Sequence, residues 1–298
     1  TLEPCAHHGQ TPPCTDAIVR AGLSRVVYAV ADPGAGVGGA ARLQAAGVTV
    51  QAGVLETAAR TQNAAFLTAA ERRRAWVFLK LAISLDGRIA ARAGERTCLS
   101  GPEAWADVQR LRAGFDAILI GAGTARADDP LLTVRGDVAP RVPPARVVLD
   151  PAATLRLSSR LLATSEEAPV RLFCADDASA ERVAALRAAG ARVDLVPRAR
   201  RGLELGDVLD GLWAQGVRSV LCEGGGRVAG SLLRERRIDR LRLYVAPRLL
   251  PGGVPAFGDS SQHEDAAPGD APGGSWRLLE SERLGPDVRL TYEPAKER

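Results

Sequence analysis

Two stretches decide the fold: Ala117-Ile118-Leu119-Ile120-Gly121-Ala122-Gly123-Thr124 and Ser219-Val220-Leu221-Cys222-Glu223-Gly224-Gly225-Gly226. Each is a short apolar run that ends directly in glycine. Such a run, lacking polar alternation, reads as a strand buried on both faces. Residues 147–149 and 170–173 repeat the pattern, and helix-like segments at 102–113, 178–189 and 226–237 fall between several of these runs. Buried strands separated by helices predict an α/β fold with a mainly parallel sheet. The set opens at residues 76–84, where Val77, Leu79, Leu81 and Ile83 share one face. Toward the C-terminus residues 241–245, 276–284 and 288–292 read as strands suited to antiparallel pairing at one sheet edge, with 258–274 as a polar Gly/Pro loop.

Glycine-rich turns follow three of the strands: Ser84-Leu85-Asp86-Gly87-Arg88, Gly121-Ala122-Gly123-Thr124 and Glu223-Gly224-Gly225-Gly226. Glycine just past a strand lets a ligand approach the backbone, and amides there can face phosphate. Three such turns in register place a site along the carboxyl edge of one sheet. Gly224-x-Gly226-x-x-Ala229 formally matches a dinucleotide fingerprint, but it sits near the end of the chain with no acidic residue at the required distance.

Composition narrows the function classes. The 298 residues carry 39 Lys plus Arg against 35 Asp plus Glu, a net charge of +4, with 46% hydrophobic and 4% aromatic residues. That is ordinary globular usage with little stacking surface, which argues against a nucleic-acid platform. No apolar run is long enough to span a bilayer and no basic leader precedes one, so the expected location is cytoplasmic, with neither membrane nor nucleic acid as a partner. Met is absent, and reactive residues open the sequence, so the chain reads as starting inside a domain. The five cysteines, odd in number and widely spaced, do not suggest a disulfide framework. Cys174 and Cys222 lie in apolar runs and read as small buried hydrophobes.

Cys5 and Cys14 have a different setting. Pro4-Cys5-Ala6-His7-His8-Gly9-Gln10-Thr11-Pro12-Pro13-Cys14 is a proline-stiffened loop that runs into a helix-like stretch from Thr15 closed by Gly22. A rigid loop that delivers thiols to a helix start suits zinc; a stiff turn with two unrelated thiols is the alternative. Beyond it, residues 25–31 and 48–54 read as strands and 56–73 as a helix. The charged joint Arg72-Arg73-Arg74 marks a boundary between domains at 1–73 and 74–298, or simply a solvated helix end.

The string Pro4-Cys5 with His7–Cys14 resembles the second half of the zinc site in the bifunctional riboflavin-biosynthesis deaminase–reductase family. Lys80-Leu81 through Arg88, Gly94-Glu95, Gly123-Thr124, Asp128-Asp129-Pro130-Leu131-Leu132-Thr133-Val134-Arg135 and Glu223-Gly224-Gly225 resemble the reductase domain of the same family. The resemblance implies part of a cytidine-deaminase-like domain followed by a dihydrofolate-reductase-like domain. It implies NADPH-dependent reduction of 5-amino-6-(5-phosphoribosylamino)uracil to the ribitylamino compound, preceded in the complete protein by zinc-dependent deamination of 2,5-diamino-6-ribosylamino-4(3H)-pyrimidinone 5′-phosphate. A homodimer is also implied.

Carried over residue by residue, Cys5 and Cys14 would ligate Zn2+, while His7 and His8 would shape a pocket. Ala82, Thr124 and Asp128 would line the NADPH site, and Gly225, Gly226, Arg227, Val228, Ala229, Gly230 and Ser231 would hold its phosphates. Arg112, Leu132, Arg135 and Glu223 would contact the phosphoribosylaminopyrimidine substrate. Physical roles fit these positions. Paired guanidinium groups of Arg112 and Arg135 suit a phosphate dianion, and Glu223 can accept from ribose hydroxyls. Lys80 would help where hydride delivery to the opened sugar carbon leaves negative charge on oxygen. Lys80 and Asp128 are the catalytic candidates.

The departures are also specific. Arg96 stands where the family has a serine that touches substrate, Cys98 where it has a tryptophan that touches cofactor, and Pro151 where a serine is frequent. Zinc deaminases also need a third ligand and a proton-shuttling glutamate in a His-x-Glu element. Glu3 lies too near Cys5 for that, and the remaining histidine is His263. The third zinc ligand is therefore expected to be absent from this chain, which by itself should not deaminate. The departures leave a second class open: a diverged, non-catalytic nucleotide-binding paralogue.

Overall fold

The structure, a computed structural model, describes residues 2–34, 38–258 and 274–295. His263 and most of the expected loop at 258–274 lie outside the described residues. The backbone divides into two compact units, Thr1–Trp76 and Val77–Arg298.

The first unit contains α1 (Cys14–Arg20), β1 (Arg25–Val27), α2 (Gly39–Ala45), β2 (Thr49–Gln51), α3 (Glu56–Gln62) and α4 (Ala64–Arg72). α1 ends as its sequence predicts: Gly22 takes φ 66°, and the Leu23 amide reaches back 3.4 Å to Ile18 O. The two strands pair in parallel over only three residues each, shorter than expected. Past Val27 the chain turns inward, burying Tyr28, Ala29 and Val30, and Val30 bridges Leu2 instead. The single helix expected over 56–73 is two. Asn63 Nδ2 donates to Ala59 O at 2.8 Å, diverting its side chain to the end of α3, and a new helix starts at Ala64. Ala29, Val30, Ala59 and Leu67 form this unit's small core.

The second unit runs β3 (Trp76–Ile83), β4 (Arg88–Ala90), α5 (Pro102–Arg112), β5 (Ala117–Gly121), α6 (Ala122–Asp128), β6 (Ala145–Leu149), α7 (Arg160–Ala163), β7 (Val170–Ala175), α8 (Ala180–Ala188) and β8 (Arg192–Val196). It continues with β9 (Arg198–Ala199), β10 (Gly202–Leu203), α9 (Leu205–Ala214), β11 (Ser219–Gly224), α10 (Gly226–Arg234), β12 (Arg240–Val245), β13 (Val254–Pro255), β14 (Trp276–Leu284) and β15 (Asp287–Pro294). A nine-stranded sheet in the order β14-β15-β12-β3-β11-β5-β6-β7-β8 organises it. β12 is parallel to β3, and β11, β5, β6, β7 and β8 are parallel in turn. β15 pairs antiparallel with both β12 and β14, the edge arrangement expected from the tail.

β3 lies inside this sheet between β12 and β11, and both its faces are covered. Val77, Leu79 and Leu81 are buried on one side and Phe78 on the other, where its ring meets Phe115 edge-on at 5.4 Å. One large core joins β5, β6 and β7 to α7 and α8 through Ile118, Val148, Leu161, Leu172 and Leu186, all buried. Cys174 and Cys222 are fully buried, and burial pushes their thiols up to about 11 and about 12, which leaves them unreactive.

Candidate active site

Side chains from the C-terminal parts of β3, β5, β6 and β11 line one cleft of about 1590 Å³. The three turns that follow β3, β5 and β11 differ in detail. The first is a tight turn in which Ser84 Oγ donates to Asp86 Oδ1 at 2.5 Å and accepts from the Arg88 amide, with Gly87 at φ 71°. At the second, the expected glycine turn is absent: Gly121 closes β5 and caps α6, so residues 122–128 are helical. Gly121 is required by packing, since a Cβ there would lie 2.8 Å from Val228 Cγ2. At the third, Gly225 takes φ 79° ψ 140° and opens α10 without a side-chain cap.

That third turn forms one end of the cleft. The first intrahelical amide is that of Ala229, bonded to Gly225 O at 3.1 Å, so the amides of Gly226, Arg227 and Val228 have no helical partner. All three residues line the cleft, as do Gly225, Gly230 and Ser231. Uncapped amides at the positive end of a helix, with Arg227 beside them, fit the phosphates of a pyridine nucleotide. Thr124 packs against this turn, because a Cβ on Gly225 would come 2.7 Å from its Oγ1. Ala229 does not belong to the set: it is fully buried and lies outside the cleft lining, on the inward face of α10. Gly226 and Gly230 are glycines for a further reason, since a Cβ on either would strike the backbone of residues 255–257.

The other end is built on α5. Arg112 meets Glu223 in a forked pair, Nε to Oε1 at 2.6 Å and Nη2 to Oε2 at 2.8 Å, while Nη1 donates to Thr133 O at 3.1 Å. Burial alone would raise the Glu223 carboxyl, but the adjoining guanidinium overrides it and holds the group down at about 2. Burial works against the charge of Arg112, which the carboxylate raises overall. Arg112 therefore does not stand free as a phosphate fork, and Glu223 already accepts on both oxygens. The pair acts as one unit facing the cleft, with the remaining Arg112 N–H groups left to donate.

Arg135 is the freer cation. Its amide donates to Gln109 Oε1 at 2.9 Å and its guanidinium lies 5.7 Å from the Trp105 ring centroid. Burial lowers it, and repulsion from Arg112, Arg160 and Arg96 adds to that. Trp105, Gln109 and Arg112 sit at i, i+4 and i+7 of α5. That spacing is the signal that could have found Trp105 and Gln109 from sequence. Leu132 lines the cleft from a left-handed backbone, φ 54°, and is otherwise buried. Asp128 ends α6; burial raises its carboxyl and Arg96 partly offsets this. Lys80 enters from β3 and Ala82 lies two residues on, both in the lining. Burial lowers the Lys80 ammonium, and the Glu223 carboxylate works against that.

Arg96 and Cys98 also border the cleft, so both departures fall inside the site. Cys98 is exposed, and its carbonyl accepts from Arg248 Nη1 at 3.0 Å.

In the first unit Cys14 donates its amide to Cys5 Sγ at 3.3 Å, so the two thiols are neighbours. That suits one edge of a soft-metal site. Among the described residues no third His, Cys, Asp or Glu joins them. Glu3 is engaged elsewhere, accepting from Ala40 N at 2.7 Å and Asp32 N at 3.3 Å. His7 and His8 are exposed. The thiol pair alone does not make a complete zinc centre.

Comparison with known proteins agrees with this geometry. Residues 75–290 match the family model of the RibD C-terminal domain. Riboflavin biosynthesis protein RibD of Bacillus amyloliquefaciens is 36% identical over 296 residues, covering 99% of this chain and 78% of that protein. The solved structure of Acinetobacter baumannii RibD, form 1, superposes with a TM-score of 0.83 at 33% identity, covering 99% of this chain and 80% of that one. A diaminohydroxyphosphoribosylaminopyrimidine deaminase/5-amino-6-(5-phosphoribosylamino)uracil reductase from Thermotoga maritima superposes at 0.81 with 27% identity, covering 99% and 78%. The fold is thus the α/β fold expected, and the chain belongs to the RibD family of riboflavin-biosynthesis proteins.

Proposed function

We propose that this chain reduces 5-amino-6-(5-phosphoribosylamino)uracil to 5-amino-6-(5-phosphoribitylamino)uracil, with NADPH as reductant and in the cytoplasm. It is an enzyme of riboflavin biosynthesis, and its second unit is the reductase. The observation that carries the reaction is one cleft with two chemically distinct ends: uncapped α10 amides at one, and Lys80, Asp128, Arg135 and the Arg112–Glu223 pair at the other.

The nucleotide supplies the hydride. The reaction also consumes one proton, because the sugar C1′–O bond opens as hydride reaches C1′ and the freed oxygen must be protonated. The Lys80 ammonium donates toward that oxygen, and burial, which lowers its pKa, makes proton release easier. Asp128, raised by burial, holds the nicotinamide end as a hydrogen-bonding partner. Arg135 with Arg96 receives the substrate phosphate, with Arg112 adding the N–H groups left over from Glu223. Thr124, Ala82 and Cys98 wall the nicotinamide, and Gly225, Gly226, Arg227, Val228, Gly230 and Ser231 line the phosphate end. Cys98 in place of an indole leaves a wider wall, which predicts weaker nucleotide binding than a tryptophan would give.

Cys5 and Cys14 are assigned to the zinc-dependent deamination of the same pathway, and the protein is proposed to act as a homodimer. The test of the reductase is NADPH oxidation by the purified chain with its substrate. Turnover is expected to fall about a hundredfold in Asp128→Ala with the fold intact. A folded, nucleotide-binding chain that never oxidises NADPH would instead favour a non-catalytic paralogue.

A further inference from the structure

Of the 39 basic residues only Lys80 and Lys296 are lysines; every other is arginine. A buried lysine can give up its proton near neutrality, which an arginine does not. Lys80 is thus singular among the described residues. It makes no hydrogen bond and no ion pair there. Its Nζ lies 5.5 Å from the centroid of the Tyr244 ring.

Tyr244 is fully buried on β12, where its backbone pairs with Ala82. Lys80, Ala82, Arg242 and Tyr244 share a face of the sheet beneath α5, since alternate residues of adjacent parallel strands point the same way. The ring packs against Ala104 and Val108 of α5, with Ala82 and Leu284 at the border of the same cluster. Its hydroxyl donates to Asp107 Oδ2 at 2.6 Å, and Asp107 Oδ1 accepts from Arg289 Nη1 at 2.9 Å. Arg289 is itself anchored by Glu280 and Glu282 of β14. Neither Tyr244, Asp107 nor Arg289 lines the cleft.

We infer that Tyr244 is a positioning residue for Lys80: its ring face holds the ammonium in the cleft, and Asp107 with Arg289 fixes the ring. A cation over an aromatic face is favoured most where water is excluded. The groups facing Lys80 are Glu223 of β11, which stabilises the ammonium, Arg112 of α5, which repels it, and the Tyr244 ring. Behind the ring stand Asp107, Arg242 and Arg289. With Arg112 and Glu223 already neutralising each other, the Tyr244 ring is left to hold the ammonium. α5 then sets three parts of the site at once: Arg112 directly, Arg135 through Gln109 and Trp105, and Lys80 through Asp107 and Tyr244.

The functional part of this inference rests on the proposed role of Lys80 in the reduction, so its test needs a readout independent of turnover. Two lysines make that simple. Chain labelled with carbon-13 at lysine Cε gives two signals, and Lys80→Arg identifies the one from Lys80. In Tyr244→Met, which removes the π face but keeps a long apolar side chain, the Lys80 titration midpoint should fall by about one pH unit. The alkaline limb of kcat should fall with it and KM for NADPH should stay within about twofold. Tyr244→Phe keeps the ring face but loses the hydroxyl bond to Asp107, so both should fall by less than in Tyr244→Met. If Tyr244→Met does not fold, trifluorophenylalanine at position 244 keeps the shape while weakening the ring quadrupole, and it should lower the midpoint relative to Phe. An unchanged Lys80 midpoint in either ring-weakened variant would overturn the inference. A Lys80→Ala variant with full kcat would overturn the catalytic role of Lys80 and the functional part with it, and the carbon-13 titration would still report the contact itself.

Discussion

Arg112 and Glu223 face each other with side chains only 10% and 9% exposed, and their fork decides how the site handles charge. A buried pair of this kind is costly to break because the survivor is left uncompensated. Arg112→Met should destabilise the chain by about 3–5 kcal/mol, read by urea unfolding. Glu223→Gln should do the same and leave a bare cation beside Lys80. The pH dependence follows from the Glu223 carboxyl, held at about 2 in the folded chain and near 4.3 when unfolded. As pH falls the unfolded state takes up the proton first, so the stabilisation is complete above roughly pH 5 and gone near pH 2. Unfolding midpoints that stay flat from pH 6 to pH 3 in wild type, yet track Glu223→Gln, would contradict this. Both residues were legible in the sequence through the resemblance, but not their pairing. They stand 111 positions apart, and nothing in local spacing brings an α5 residue to the end of β11.

At the scale of elements, α10 and β6 show opposite uses of small and large side chains. Gly226 lets the segment at 255–258 pass over the helix start, where a Cβ would lie 2.5 Å from Pro255 O. Alanine is the better helix former by about 1 kcal/mol, yet Gly226→Ala should lower stability by roughly 1–3 kcal/mol because backbone cannot move aside. NADPH affinity should fall with it; a gain in melting temperature would refute the packing argument. On β6, Arg146 is fully buried with no ion pair among the described residues, and its Nη atoms donate to Leu131 O, Thr164 Oγ1, Thr164 O and Ala168 O. It ties the cleft loop at Leu131 to the chain after α7. Arg146→Met should cost about 3 kcal/mol through carbonyls left unpaired, and it should raise KM for the pyrimidine before it changes kcat. The long apolar strands were legible because burial on both faces leaves an unbroken run. α6 was not, since Gly121-Ala122-Gly123-Thr124 reads as a turn, whereas Gly121 caps a helix that starts at Ala122. The break between α3 and α4 turns on one Asn63 side chain, and the short β1 and β2 end where Tyr28 and Val30 are drawn into the core.

For the whole molecule, the sheet order explains why one cleft can serve both cofactor and substrate. β3, β11, β5 and β6 are consecutive in the sheet, so their ends form one continuous wall. Helices that start or end at this wall supply the amides of α10 and the carboxylate that ends α6. The fold class and the antiparallel edge could be read from apolar runs alone, whereas the site needed the family's residue pattern. Lys80, Trp105, Gln109 and Tyr244 converge only through the packing of α5 on β3 and β12. The central claim is that this cleft passes a hydride from NADPH to the sugar carbon of a phosphoribosylaminopyrimidine. The most direct measurement supplies NADPH deuterated at nicotinamide C4, one stereochemical form at a time, and determines the mass and labelled position of the product. One deuterium at C1′ of the ribityl chain, from one of the two forms, is the predicted result. A folded chain that binds both ligands yet yields no ribityl product, or yields it without deuterium, would contradict the account.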